Sequence, residues 1–225
     1  MASAIGQLLP TAIGVALSPL PIVAVVLMLI TPRGRLNGPS FVLGWIVGLG
    51  VVGTVVLVLA GSLGSVSKGK PATWESVLDL ALGVFLVLVS VREWRRRPRG
   101  GEEAATPRWM GAVDTFDPVK AAGLGALLSG ANPKNLLLAV AGAAAIARAG
   151  IPAGQQIVTY AIFVAIGSVG VGAPVVIALA LGARSRSLLD RLKTWMAHNN
   201  AVIISVLLLI LGAKLVGDAI SGLLS

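Results

Sequence analysis

The sequence has no cysteine and only one histidine, His198. Without cysteine the chain cannot form disulfides, zinc–thiolate sites or thiol redox relays, and one histidine excludes a metal site built from several imidazoles. We therefore expect no bound metal and no other cofactor.

Charged residues are also scarce. They make up 12% of the 225 residues, against 56% apolar residues and a mean hydropathy of +0.92. Soluble domains have about 25% charged residues, so this composition predicts an integral membrane protein without a second, water-soluble domain. The apolar residues suffice for about six spans of about 20 residues each. The net charge of +9 is then better explained by an anionic inner leaflet than by a nucleic-acid partner.

Segments with few or no charges define the predicted fold. It is a single all-α transmembrane domain over residues 1–225, with six transmembrane helices in two halves of three. The third connection is the longest, so we expect repeat 1 at about 1–97, a linker at about 98–117 and repeat 2 at about 118–225. The six segments are 5–30, 40–64, 75–91, 119–147, 154–183 and 200–222.

The distribution of Lys and Arg predicts the orientation. With six spans, thirteen of these residues lie near one side of the membrane and three near the other. The basic side faces the cytoplasm by the positive-inside rule. We therefore expect a multi-pass protein of a bacterial inner membrane with both termini outside.

Helix breakers occupy matching places in the two halves. The motif at 14–18 recurs at 125–129 with three identities in five, and each copy precedes a cluster that interrupts a helix. Three helices per half would make these repeats inverted, with helices 1 and 4 broken. Interrupted helices in matching positions point to a transporter's substrate site, although ordinary proline kinks are the alternative. The predicted substrate-binding residues are Ser18, Pro19, Pro21, Asn132, Pro133, Lys134 and Asn135.

Four ionisable residues fall inside predicted spans, where a charge costs at least about 2.5–3.5 kcal/mol. Lys134 lies beside a break and suits an anionic group of a substrate. Asp79, Lys214 and Asp218 are candidates for ion pairing or proton coupling, or they extend to the outer interface. Two carboxylates, each with a lysine available, disfavour export of divalent cations.

These motifs resemble a known family. Ser18 to Pro21, Asn132 to Asn135 and the layout of three plus three helices are similar to the lysine exporter (LysE) superfamily. The first 60 residues and the run from Trp195 to Asp218 most resemble the peptidoglycolipid addressing protein (GAP) branch, which includes the sulfolipid-addressing proteins. The resemblance implies export of an envelope glycolipid or its precursor across the inner membrane of an actinobacterium.

The sequence therefore predicts a transporter and not an enzyme. The expected activity is outward movement of an amphipathic, anionic lipid or glycolipid by alternating access, with proton coupling as one energy source. Two alternatives stay open: an exporter of small solutes such as amino acids, and a non-transporting scaffold that docks lipid-assembly proteins through the basic segment 95–99. The expected partners are the lipid substrate and membrane lipids, with lipid-biosynthesis proteins or further copies of the chain as candidates.

Overall fold

The computed structural model describes residues 2–62, 73–95 and 115–224, and every regular element within them is helical. This confirms the all-α prediction for those residues. A one-turn 3₁₀ helix, Gly182–Ser185, joins the last two long helices. The α-helices in chain order are α1 (Ala2–Ala16), α2 (Pro19–Ile30), α3 (Gly34–Ser62), α4 (Thr73–Arg95), α5 (Pro118–Gly130), α6 (Pro133–Arg148), α7 (Ala153–Leu181) and α8 (Arg186–Leu224).

Among the described residues, three helices are long and apolar enough to cross a membrane: Gly34–Gly61 in α3, Ala153–Leu181, which is α7, and Ala201–Leu224 in α8. A fourth candidate consists of α1 and α2 together, which meet at a bend of 48°. The described helices thus agree with a multi-pass membrane protein that has three or four candidate spans.

The other two predicted spans, 75–91 and 119–147, are not among these four candidates. At 1.5 Å per residue, α5 and α6 are about 20 Å and 24 Å long, so neither alone spans a core of about 30 Å. Helix α4 has the length, but several of its side chains, including that of Asp79, lie outside the described residues. The prediction of six crossings therefore has direct support from length and hydropathy for four segments.

The helices form two compact units. The first contains α1, α2, α3, α5, α6, α7 and the start of α8, up to residue 197. The second contains α4 and the rest of α8. Each unit therefore combines helices from both predicted repeats.

Glycines allow close helix packing in the first unit. A Cβ atom on Gly44 of α3 would collide with the backbone of Ala122 in α5. On α5, a Cβ atom on Gly125 would collide with the carbonyl group of Phe41 in α3. Small residues thus bring α3 and α5 to backbone contact, as is common between membrane helices.

The second unit is a helix pair that crosses at two glycines. A Cβ atom on Gly212 of α8 would lie 2.8 Å from the carbonyl oxygen of Gly83 in α4. About two turns after Gly83 in α4, Oγ of Ser90 donates a hydrogen bond of 2.7 Å to the carbonyl oxygen of Ser205. This bond satisfies a buried hydroxyl inside the helix pair.

Candidate functional site

A proline begins the second helix of each broken pair. Ser18 and Asn132 are extended, with ψ of 108° and 121°, and they precede Pro19 and Pro133. Proline suits the first position of a helix because the N–H that it lacks has no partner there. Oδ1 of Asn132 accepts the backbone N–H of Lys134 at 3.1 Å and so caps α6.

Side chains at the two breaks are hydrogen-bonded to each other. Oγ of Ser18 donates to Oδ1 of Asn135 at 2.6 Å and accepts from Nζ of Lys134 at 3.1 Å. Ser18 and Asn135 are almost completely buried, and Lys134 is half-buried. We call these three residues the junction. It joins residues that are more than 110 positions apart and come from opposite halves of the chain.

The break in the second half supplies one more partner. The backbone N–H of Asn132 bonds to the carbonyl of Leu127, which leaves the carbonyl of Leu128 without its usual intrahelical donor. Nδ2 of Asn135 donates to this carbonyl at 2.8 Å. Lys134, Ser18, Asn135 and Leu128 thus form a directed chain of hydrogen bonds, and such chains strengthen their members.

The charge of the junction is positive. Within the described part of the chain, no carboxylate lies within 4.0 Å of Nζ of Lys134, whereas Lys120, Lys193 and Lys214 each have one. The first turns of α2 and α6 meet here, and helix N-termini carry partial positive charge. A cation beside two helix N-termini is an arrangement that binds anions.

The three predicted prolines shape the backbone around the junction. Pro19 and Pro21 are buried in the first turn of α2, and Pro133 is exposed at the start of α6. A proline has no backbone N–H and no polar side chain. These residues therefore set the positions of the helix ends, and the polar groups of the junction belong to their neighbours.

A family model described as "Sap, sulfolipid-1-addressing protein" matches residues 8–221. The chain belongs to this family. The resemblance to the sulfolipid-addressing proteins is thereby confirmed. No curated protein and no solved structure gave a significant match. The range that matches the family model includes all three residues of the junction.

The other predicted ionisable residues of the family member belong to the second unit. Nζ of Lys214 and Oδ2 of Asp218 form an ion pair of 2.6 Å on α8, and both side chains are exposed by more than a third. Asp79 lies in α4, but its side chain is outside the described residues, as are residues 96–99 of the basic segment 95–99. The roles of these residues in ion pairing or proton coupling stay predictions.

The ion pair on α8 leads to a testable expectation. Asp218→Asn leaves the Lys214 ammonium without its carboxylate in a candidate span, and an unpaired charge there is costly. We expect the amount of protein in the membrane fraction to fall several-fold. The double variant Lys214→Met/Asp218→Leu removes both charges and should restore that amount. Equal accumulation of the single variant and the wild type would mean that the pair faces water or headgroups.

Sequence reasoning missed the helices that pack against the breaks. A Cβ atom on Gly48 of α3 would collide with Oγ of Ser129 in the last turn of α5. A Cβ atom on Gly170 of α7 would collide with the carbonyl oxygen of Ala16 in the last turn of α1. Each break thus lies beside a glycine from the opposite half. Glycines in the second and fifth segments were the available signal, but glycine in a membrane helix usually indicates packing alone.

Proposed function

We propose that this protein is a transporter, and not an enzyme, that exports an anionic lipid or glycolipid of the cell envelope across a bacterial inner membrane. One observation carries the proposal: the buried hydrogen-bonded junction joins the two helix breaks and holds a lysine without a carboxylate partner in the described residues. A polar, cationic site among apolar helices lowers the cost of moving a charged headgroup through hydrocarbon.

The packing supports an inverted repeat. If α1, α2, α3 and α4 correspond to α5, α6, α7 and α8, the contacts of α3 with α5 and α6 match those of α7 with α1 and α2. The second unit also takes one corresponding helix from each half, α4 and α8. With three crossings per half, the two halves would enter the membrane from opposite sides.

The proposed topology has six crossings. The α5–α6 pair would cross as a broken helix, like α1–α2, and α4 would cross with Asp79 inside the membrane. The basic connections would face the cytoplasm and both termini would lie outside. We propose that the chain is a distant relative of the LysE superfamily on the basis of this arrangement of three plus three helices.

The name of the matched family supports an anionic amphipathic substrate. It refers to a sulfolipid, and sulfolipids combine apolar tails with a headgroup that carries a sulfate or sulfonate group. Sulfate carries one negative charge and several acceptor oxygens, which suit an ammonium group and helix N-termini. We propose that Lys134 binds the anionic group of the headgroup while the tails stay in the lipid.

The proposed mechanism is alternating access. The two halves would rock about the junction and expose the headgroup site first to the inner side and then to the outer side. The sequence has no nucleotide-binding motif, so the energy would come from an ion gradient or a partner protein. Asp79 or Asp218 would carry a coupled proton.

The test is a deletion strain of the host organism complemented with wild type, Lys134→Ala or Lys120→Ala. Surface-extractable lipids and excreted amino acids are profiled together. Lys120 is a matched control because it lies in the same half and pairs with Asp117 at the surface. Loss of a charge-assisted hydrogen bond costs about 1.5–3 kcal/mol. We therefore expect Lys134→Ala to lower the surface amount of one lipid by about tenfold, and Lys120→Ala to leave it unchanged.

Two other outcomes would contradict the proposal. Unchanged surface lipids with altered amino-acid excretion in the deletion strain would indicate an exporter of small solutes. Full activity of Lys134→Ala together with loss of activity on deletion of residues 95–101 would indicate a scaffold that binds its partners through the basic connection.

A further inference from the structure

Two hydrogen-bond donors are buried without a partner among the described residues. They are Nε1 of Trp45 in α3, whose side chain is completely buried, and Oγ of Ser168 in α7, which is 9% exposed. Buried polar groups in native proteins are nearly always paired, so an unpaired donor needs an explanation. An indole N–H donates only, so Trp45 can be satisfied only by an acceptor.

Both donors lie on helices that pack against the broken helix pairs. Trp45 lies between Gly44 and Gly48, two α3 glycines that contact α5, and of the two Gly48 meets the last turn before the break. The Cβ positions of these glycines meet Ala122 and Ser129. The unpaired N–H therefore belongs to the stretch of α3 that packs against α5, the helix that ends at the second break.

Ser168 lies on α7, the corresponding helix of the other half. It lies between Gly167 and Gly170, the two α7 glycines that contact α1 directly before its break. A Cβ atom on Gly167 would lie 3.1 Å from Val15, and one on Gly170 would collide with the carbonyl oxygen of Ala16. Each of the two helices that pack against a break of the opposite half thus carries one buried donor without a partner among the described residues.

We propose that Nε1 of Trp45 and Oγ of Ser168 donate hydrogen bonds to sugar oxygens of the substrate headgroup, an inference that rests on the proposed lipid export. Neutral donors suit neutral hydroxyl and ring oxygens, whereas the anionic group has Lys134. The two donors lie on different helices, so a headgroup with several oxygens along its length can reach both. A sulfate group is less suited to this, because all of its oxygens are bonded to one sulfur atom. The opening of the site in alternating access would expose these buried groups to the headgroup.

The test uses three lipids with the same ceramide tail: ceramide, galactosylceramide and its 3-sulfate. Binding to purified protein in a neutral detergent is measured by thermal-shift titration. The sugar step is the gain in affinity from ceramide to galactosylceramide, and the sulfate step is the gain from galactosylceramide to the sulfated lipid. One hydrogen bond contributes about 0.5–1.5 kcal/mol, which corresponds to about threefold to tenfold in affinity.

We expect Trp45→Phe and Ser168→Ala each to reduce the sugar step by about threefold to tenfold and to keep the sulfate step. Lys134→Ala should reduce the sulfate step and keep the sugar step. Ser205→Ala is the matched control, because that hydroxyl bonds within its own helix to the carbonyl of Val202 and belongs to the second unit. It should leave both steps unchanged.

Protein stability separates this role from a structural one. Ser168→Ala removes a hydroxyl without a partner in the described residues, so the melting temperature of the lipid-free protein should stay the same or rise. A lower melting temperature with an unchanged sugar step would show that Ser168 is structural and would overturn the inference. Wild-type affinity of both donor variants for all three lipids would also overturn it. If the wild type shows no sulfate step, the proposed function fails as well.

Discussion

Replacing Asn135 by leucine is expected to lower the free energy of unfolding by about 3 kcal/mol. Asn135 is buried and uses both ends of its amide, since Oδ1 accepts from Ser18 and Nδ2 donates to the carbonyl of Leu128. Leucine has nearly the same size, so the packing is kept while two buried partners lose their hydrogen bonds. Each unsatisfied buried group costs about 1–3 kcal/mol.

The measurement is thermal unfolding of purified protein in a neutral detergent. Asn132→Ala is the matched control, because it removes only the cap of α6 and should cost about 1 kcal/mol. Ser18→Ala combined with Asn135→Leu should cost little more than Asn135→Leu alone, because the two residues share one hydrogen bond. A cost for Asn135→Leu no greater than that for Asn132→Ala would contradict the connecting role of the junction.

The positions of the two breaks could be predicted from the sequence because they depend on local chemistry. A proline cannot continue a helix, but it fits the first turn of a new one, and this is where Pro19 and Pro133 lie. Asn132 adds a capping side chain at the second break. No tertiary contact is needed for either effect.

The partners at the junction could not be predicted in the same way. The repeated motif makes Ser129 the counterpart of Ser18, yet Oγ of Ser129 donates to the carbonyl of Ala126 in its own helix. Asn135 is the residue that bonds to Ser18. Which side chains meet depends on how the two halves pack, and a sequence motif shared by two helices does not determine that packing.

The number of membrane crossings shows a similar limit. Hydropathy identifies α3 and α7 directly, because each is a continuous apolar helix of 29 residues. Breaks divide the first and fourth predicted spans into short helices, and α4 combines an apolar middle with charged ends. Whether such segments cross depends on the neighbours that cover their polar groups. The unpaired donors of Trp45 and Ser168 had no signal in the sequence, since single residues of these types are common in membrane helices.

Two glycines on α5 provide the second prediction with a large effect. Gly125→Ala is expected to lower the free energy of unfolding by about 3 kcal/mol, while Gly123→Ala raises it by up to about 1 kcal/mol. A Cβ atom on Gly125 would collide with the carbonyl group of Phe41, and backbone cannot move aside as a flexible side chain can. A Cβ atom on Gly123 meets no atom within 4 Å, so alanine there only improves the helix.

Both variants are measured by thermal unfolding in the same detergent, and their two positions on one helix make them controls for each other. The contact of α3 with α5 also brings Gly48 against Ser129, directly before the second break. Gly125→Ala should therefore weaken binding of the sulfated lipid at temperatures at which the protein is still folded, because α5 is displaced at the break. Equal stability of the two variants would show that α3 and α5 lack this backbone contact. Loss of stability without weaker lipid binding would show that the second break does not depend on this packing.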